Sequence, residues 1–470
     1  MLANAASTQT EPTIWFDFTT SFNWTRPAVG IVRMEQECCR ALLNMVPGRM
    51  RACIFDQRTL SYYELPLDEV WRILNRVWSD APTVTPVAAP VAAASGEVGF
   101  ARRSEQVLRR IARKCVSALP VRQQLAAKAK LMKMRRIAAY AYREWKTPDA
   151  IAPALQSNAG VANEPSSYPK ANIRKSDTYL TMGLDWDHNK IEFLYRLKKE
   201  IGFRINCVAY DIIPVLFPHF YSEGADQFFA HYFSNMAWIA DHIFCISECT
   251  RKDLRKLLVE LGTPVPNMSV VRLGDMLPVI HEQQHSDAVK RVAQEHFILM
   301  VSTIEIRKNH QVLYNAYVRL IEQGVTDLPK LVFVGMPGWR VNDFIFTIQQ
   351  DKRVRDKIIV LNRVTDADLD LLYESCAFTV YPSLYEGWGL PVAESLTHGK
   401  FCLTSNAGSI PEIAGDILEY LEPWDVLGWA DKIKTYSTDP AALEAKVHAI
   451  KSRYKTTSWN ETAASILKQL

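Results

Sequence analysis

At 470 residues, with 48% hydrophobic and 23% charged side chains, the chain is long enough for two or three domains with ordinary cores. No apolar run approaches the roughly 20 residues that cross a bilayer, and the N-terminus lacks a charged stretch followed by an apolar one, so neither a spanning helix nor a secretory signal is expected. The net charge of +4 hides an asymmetry, because 101–146 holds 14 Lys and Arg against two Glu and leaves the remainder net negative.

In chain order, Thr13–Phe18 reads as the first strand, Gly30 opens a helix running to about Met45, and Arg51–Phe55 is a second strand. Asp80–Ser95 is rich in Pro and Ala and reads as an extended linker. Two basic helical stretches separated by Pro120 follow, with Val107, Leu108, Ile111 and Cys115 at helical spacing among Arg109, Arg110, Arg113 and Lys114. A polar stretch, 147–176, returns the chain to strands at Thr178–Met182, Ile205–Tyr210, His242–Cys245 and Ser269–Val271, with helices between them. Met276–Glu295 is polar and reads as an irregular connection. A second alternating set begins at Phe297–Val301 and continues through Lys330–Val334, Ile358–Leu361, Phe378–Tyr381, Phe401–Leu403 and Leu418–Leu421. Asn309 is read as a cap for the helix that ends at Gly324, and Thr365–Asp368 as a capping box. Such alternation predicts parallel sheets covered on both faces. Nine cysteines show no framework or zinc spacing, which fits buried thiols, a reducing compartment and no metal site.

The densest chemistry lies in Pro382-Ser-Leu-Tyr-Glu386-Gly-Trp-Gly-Leu-Pro391-Val-Ala-Glu394, which leaves a strand, turns on two glycines and enters a helix. At a strand tip of an open α/β sheet this is where a ligand docks, and a helix N-terminus favours anions. An anionic ligand bearing hydroxyls is the first expectation. An isolated pair of glutamates at this spacing is ordinarily a solvated couple on a turn; here the surrounding motif weighs against that.

That motif, the upstream Val301-Ser-Thr-Ile-Glu-Ile-Arg-Lys-Asn-His310 and the tail Thr457-Ser-Trp-Asn-Glu-Thr-Ala463 resemble a retaining glycosyltransferase of family 4, in its mannosyltransferase-like subset. The resemblance is close from about 297 to 423. It implies an α/β GT-B fold, two doubly wound Rossmann-like domains facing across a cleft, with the basic helices as an insertion in the first. The domains are then 1–275 (80–176 being linker and insertion), a connection over 276–295, a nucleotide-sugar domain over 296–440, and a helix over 441–470 crossing back to the first domain. The resemblance also implies metal-independent transfer of a hexose, with retention, from a nucleotide-sugar co-substrate and without a cofactor. GDP-mannose is favoured as donor. The alternatives are rhamnosyl or other hexosyl transfer from a dTDP-, GDP- or UDP-sugar, and a non-catalytic saccharide- or nucleic-acid-binding platform on the same scaffold.

Site roles carry over residue by residue. Lys308 is expected to meet the diphosphate, with Arg307 either its helper or a surface charge. Thr303 stands where many relatives place a second basic residue. Glu394 is expected to accept from the ribose hydroxyls and Glu386 from the sugar, while Gly387, Trp388, Gly389 and Leu390 bring backbone N–H groups to the donor. Arg363 and Val364 form the turn that touches the base, and Gly30 opens a helix towards the diphosphate. On the acceptor side, Tyr210 takes the place of a histidine of relatives. Asp211 is a candidate for acceptor orientation or proton removal, against a simple strand-end cap, and Ser247 is expected to face the cleft, with Thr250 and Asp253 capping the helix. The acceptor implied is a lipid-linked saccharide for a bacterial surface polysaccharide. The basic 101–146 segment favours an anionic membrane surface over a solvated hairpin or nucleic acid, hence a cytoplasmic protein peripheral on the inner face of the cell membrane.

Overall fold

The computed structural model describes residues 11–76, 83–84, 164–188, 190–278, 285–338 and 340–470. Its strands are β1 (Ile14–Asp17), β2 (Met50–Asp56), β3 (Ser61–Leu65), β4 (Thr83–Val84), β5 (Thr178–Thr181), β6 (Arg204–Ala209), β7 (His242–Cys245), β8 (Asn267–Val270), β9 (Phe297–Val301), β10 (Lys330–Val334), β11 (Ile358–Asn362), β12 (Phe378–Tyr381), β13 (Cys402–Ser405) and β14 (Glu419–Leu421). They form two seven-stranded sheets, in the orders β3-β2-β1-β5-β6-β7-β8 and β14-β13-β12-β9-β10-β11-β4. Each sheet is parallel except at one edge, where β3 runs antiparallel to β2 and β4 antiparallel to β11. The sheets define an N-terminal and a C-terminal lobe within one compact unit.

Central strands are buried on both faces, which is why they read as continuous apolar runs instead of alternating ones: all four residues of β1 and of β12 are buried. The strand order reverses between β1 and β5 in the first sheet and between β9 and β12 in the second. Loops leaving the carboxyl ends of such neighbours diverge and open a crevice. The loop after β9 carries Thr303 to Lys308, and the loop after β12 carries Pro382 to Gly389. The second fold-level crevice is therefore built by the two motifs that stood out in the sequence.

Several local features depart from expectation. The edge strand β3 follows β2 through a short turn. The stretch expected to be an irregular connection contains a helix, Asp287–Ala293, capped by Ser286, whose hydroxyl accepts from the Val289 N–H at 3.3 Å. Thr365 does cap the Asp366–Ser375 helix, accepting from the Asp368 N–H at 3.1 Å. The Asp368 carboxylate, however, accepts from the Ser286 N–H at 3.0 Å instead of closing the box, because the connection passes over it. Asn309 has left-handed backbone (φ 58°) and no side-chain cap; its amide donates to the Pro382 and Pro423 carbonyls and ties loops together. Thr83–Val84, expected within an extended linker, pairs with the edge of the C-terminal sheet. The basic 101–146 segment, and the two helices expected there, lie outside the described residues. No helix among the described residues is long and apolar enough to cross a membrane.

The last helix, Trp459–Leu467, starts with a complete capping box between Ser458 and Glu461. It packs against the Ile31–Met45 helix of the N-terminal lobe. Trp459 donates its indole N–H to the Met276 carbonyl at 3.0 Å, and the Thr462 hydroxyl donates to the Arg272 carbonyl at 2.9 Å. Asp275 and Thr457 fix the crossing: the Asp275 N–H donates to the Thr457 carbonyl at 2.9 Å, and the Thr457 N–H donates to the Asp275 carboxylate at 3.0 Å.

Candidate active site

The centre of the crevice is the carboxylate of Glu386, 6% exposed. One of its oxygens accepts from Lys308 Nζ at 2.6 Å and from the Tyr381 hydroxyl at 3.0 Å. The other lies 2.7 Å from Arg307 Nη1. Arg307 also donates to the Tyr385 carbonyl at 2.8 Å and pairs with Glu305 at 2.9 Å. Burial alone would raise the Glu386 carboxyl, but Arg307 and Lys308 hold it down to about 2. Burial, with the neighbouring Arg307 charge, pushes the Lys308 ammonium below its ordinary value.

The loop that presents Glu386 is held from beneath by Ser409. Its N–H donates to the Glu386 carbonyl at 3.1 Å, and its hydroxyl donates to the carbonyls of Glu386 and Trp388, each at 3.0 Å. Gly389 takes φ 122°, a region closed to residues with a Cβ, and lets Leu390 begin the next helix. Gly387 faces the opposite lobe, where a Cβ would meet the Tyr210 carbonyl oxygen at 2.3 Å. The absent side chain at 387 is thus explained by lobe-to-lobe contact. Trp388 is buried with Arg272 over its ring at 5.3 Å, so its indole packs in the seam between the lobes.

Asp211 reaches the same centre from the N-terminal lobe. Its carboxylate accepts from the Ile213 N–H at 3.0 Å, as an end cap does. Burial raises its pKa, partly offset by Arg307 and reinforced by Glu386. Asp211 thus meets the end-cap expectation, and its carboxyl also sits within the field of the Glu386 centre. Gly30, with φ 54°, precedes the Ile31–Met45 helix as expected. Thr303 is exposed on the loop after β9, and Arg363 is exposed with left-handed backbone (φ 53°) just after β11. Val364 is half-buried and packs against the core of the C-terminal lobe.

Two acceptor-side expectations are corrected. The Tyr210 ring is buried in the N-terminal lobe and its hydroxyl donates to the Met182 carbonyl, so only its backbone faces the C-terminal lobe. Ser247 is fully buried and caps the Glu248–Glu260 helix, accepting from the Thr250 N–H at 3.0 Å. It is Thr250 that looks across, donating to the Tyr210 carbonyl at 2.9 Å with the Gly387 carbonyl at 3.5 Å. Asp253 accepts from the Tyr385 hydroxyl instead of capping.

Glu394 is 4% exposed and both of its oxygens are engaged. One accepts from the Tyr373 hydroxyl at 2.9 Å, the other from Arg33 Nη1 at 2.8 Å. Sequence reasoning missed Arg33, and its only signal was a place in the first turn of the Gly30 helix. It also missed Glu412, whose carboxylate accepts from the Glu248 and Cys249 N–H groups, each at 2.7 Å, and so closes the lobes at a helix N-terminus.

Residues 282–455 match the family described as Glycosyl transferases group 1. The serotype-specific mannosyltransferase WbdA of Escherichia coli is 31% identical over 263 residues, 55% of this chain and 32% of WbdA. O-antigen chain mannosyltransferase B of Escherichia coli is 34% identical over 153 residues, 33% of this chain and 38% of that protein. The match thus spans about a third of the length of these relatives. Among solved structures, sucrose-phosphate synthase of Thermosynechococcus elongatus aligns with a TM-score of 0.55 at 15% identity, covering 98% of each chain. HepE of Anabaena, in complex with UDP and glucose, aligns with a TM-score of 0.55 at 12% identity, covering 98% of this chain and 100% of its own. The two-lobed fold is the GT-B fold of these structures. Residues 282–455 are thus similar to the group 1 glycosyl transferases, and the matching relatives include mannosyltransferases.

Proposed function

We propose that this chain transfers mannose from GDP-mannose, with retention and without a metal, onto a lipid-linked saccharide in the synthesis of a bacterial surface polysaccharide. The observation that carries the reading is the Glu386 carboxylate clamped by Lys308 and Arg307 in the crevice, with Asp211 facing it from the other lobe. A leaving nucleoside diphosphate needs its developing charge met by fixed cations and N–H groups. On this reading the diphosphate draws Lys308 to itself, and the freed Glu386 oxygen accepts a hydroxyl of the sugar. Glu394 takes the ribose hydroxyls, and the turn at Arg363 and Val364 takes the base. Asp211, its carboxyl raised by burial, orients the acceptor hydroxyl on the same face from which the diphosphate departs. Front-face attack then leaves the configuration unchanged, with the departing phosphate receiving the acceptor proton. Mannose is favoured by the Thr303-Ile-Glu-Ile-Arg-Lys-Asn309 spelling and by relatives that are themselves mannosyltransferases.

Thermal shift with a panel of sugar nucleotides tests the donor, because a ligand at 100 times its dissociation constant adds about 2.7 kcal/mol. GDP-mannose is expected to give the largest shift, and a larger one from a UDP- or dTDP-sugar would overturn the donor assignment. The lipid-linked acceptor places the enzyme at a membrane, and the charge of 101–146 supports that, each Lys or Arg near an anionic surface contributing about 1 kcal/mol. Deleting 101–146 is expected to abolish binding to phosphatidylglycerol vesicles at low salt; unchanged binding contradicts the membrane role.

A further inference from the structure

Arg33 belongs to the N-terminal lobe, yet its guanidinium is spent on the C-terminal one. It stands in the first turn of the Ile31–Met45 helix, three residues past Gly30, and is 5% exposed. Nη1 donates to Glu394 at 2.8 Å, and Nη2 pairs with Asp366. Asp366 is the first residue of its helix, separated from the turn at Arg363 and Val364 only by the cap Thr365. The guanidinium therefore lies between the carboxylate assigned to ribose and the turn assigned to the base.

A carboxylate that accepts from two ribose hydroxyls needs accessible lone pairs on both oxygens. Tyr373, the other partner of Glu394, is fully buried in the core of the same lobe and stays in place. Arg33 is anchored on the other lobe, so a change in the distance between lobes moves it and leaves Tyr373 behind. A buried guanidinium spanning two carboxylates is a costly way merely to hold two lobes together, since apolar contacts do so without desolvating charge. One of its two partners, moreover, is the carboxylate assigned to ribose, and the other stands two residues past the turn assigned to the base.

We propose that Arg33 is a latch that competes with the donor's ribose for Glu394, so that nucleotide binding releases an interlobe ion pair. The latch rests on the assignment of Glu394 to ribose. It makes the apparent affinity for nucleotide the intrinsic affinity reduced by the fraction of molecules in which Arg33 has let go. It also makes the ribose hydroxyls the part of the donor that opens the site.

The test is calorimetric titration of GDP and of 2′,3′-dideoxy-GDP into the full chain and into its Arg33→Met and Arg33→Lys variants, with thermal melts to verify folding. The unsubstituted chain is expected to bind GDP more tightly than the dideoxy compound. Arg33→Met is expected to bind GDP about tenfold more tightly than the unsubstituted chain, within the usual span of linked equilibria, with a smaller gain for the dideoxy compound. Arg33→Lys, which keeps the charge but reaches one carboxylate at a time, is expected to fall between. Unchanged or weaker GDP binding by both variants would overturn the latch and leave Arg33 as a strut or a donor contact. Equal binding of GDP and dideoxy-GDP by the unsubstituted chain would instead overturn the ribose assignment itself.

Discussion

Glu386 and Glu35 are both fully buried carboxyls, and their surroundings drive them in opposite directions. Burial would raise each. At Glu386 two cations reverse the effect and hold the group ionised down to about 2. At Glu35 the Ser21 N–H, donating at 2.8 Å, and the Ser21 hydroxyl resist burial only in part. Asp17 adds repulsion, and the nearest cation, Lys190, is paired with Asp17 and Asp185. The Glu35 carboxyl is raised from 4.5 to about 8. A folded-state value above the unfolded one means that folding binds a proton. The stability tied to neutral Glu35 is complete below the unfolded value and is lost as pH rises through the folded one. Between about pH 5 and pH 8 the melting temperature of the unsubstituted chain is expected to fall more steeply than that of Glu35→Gln. Parallel slopes would contradict a neutral Glu35.

At the scale of elements, much of the site was legible because its chemistry is local. Glu386, Gly389 and Leu390 follow one strand, and Arg307 and Lys308 follow another. Hydrophobic runs with turn residues between them are enough to put both groups at strand tips. The capping box at Ser458 and Glu461 is equally local. What escaped depends on contacts between distant parts of the chain. Arg33 and Glu394 are 361 residues apart, and nothing near either one announces the other. Ser247 and Thr250 were assigned in reverse because the motif does not say which hydroxyl turns inward; the cap took Ser247 and left Thr250 to face Tyr210 and Gly387. Tyr210 was placed by analogy with a histidine, but an aromatic ring with an apolar core beside it goes into the core once its hydroxyl finds the Met182 carbonyl. Asn309 has the right residue type for a cap, and its amide was claimed by two loop carbonyls.

At the scale of the molecule, the crevice is shared between lobes that meet through polar contacts as well as apolar ones. Arg33 bridges to Glu394 and Asp366, Glu412 receives two N–H groups of the facing helix, and Gly387 abuts the Tyr210 carbonyl. The last helix ties the C-terminal lobe back to the first through the crossing at Asp275 and Thr457. In the proposed reaction Lys308 stabilises the departing nucleoside diphosphate while Glu386 holds the donor sugar, and that division of roles is the central claim. It is tested most directly by the rate of GDP release from GDP-mannose, with bacterial membrane lipids as acceptor, by the unsubstituted chain and by Lys308→Ala and Glu386→Ala. Loss of at least about 100-fold in kcat for each variant, at closely similar melting temperatures, is predicted from the usual cost of removing one preorganised group. Full turnover in both variants would contradict the account.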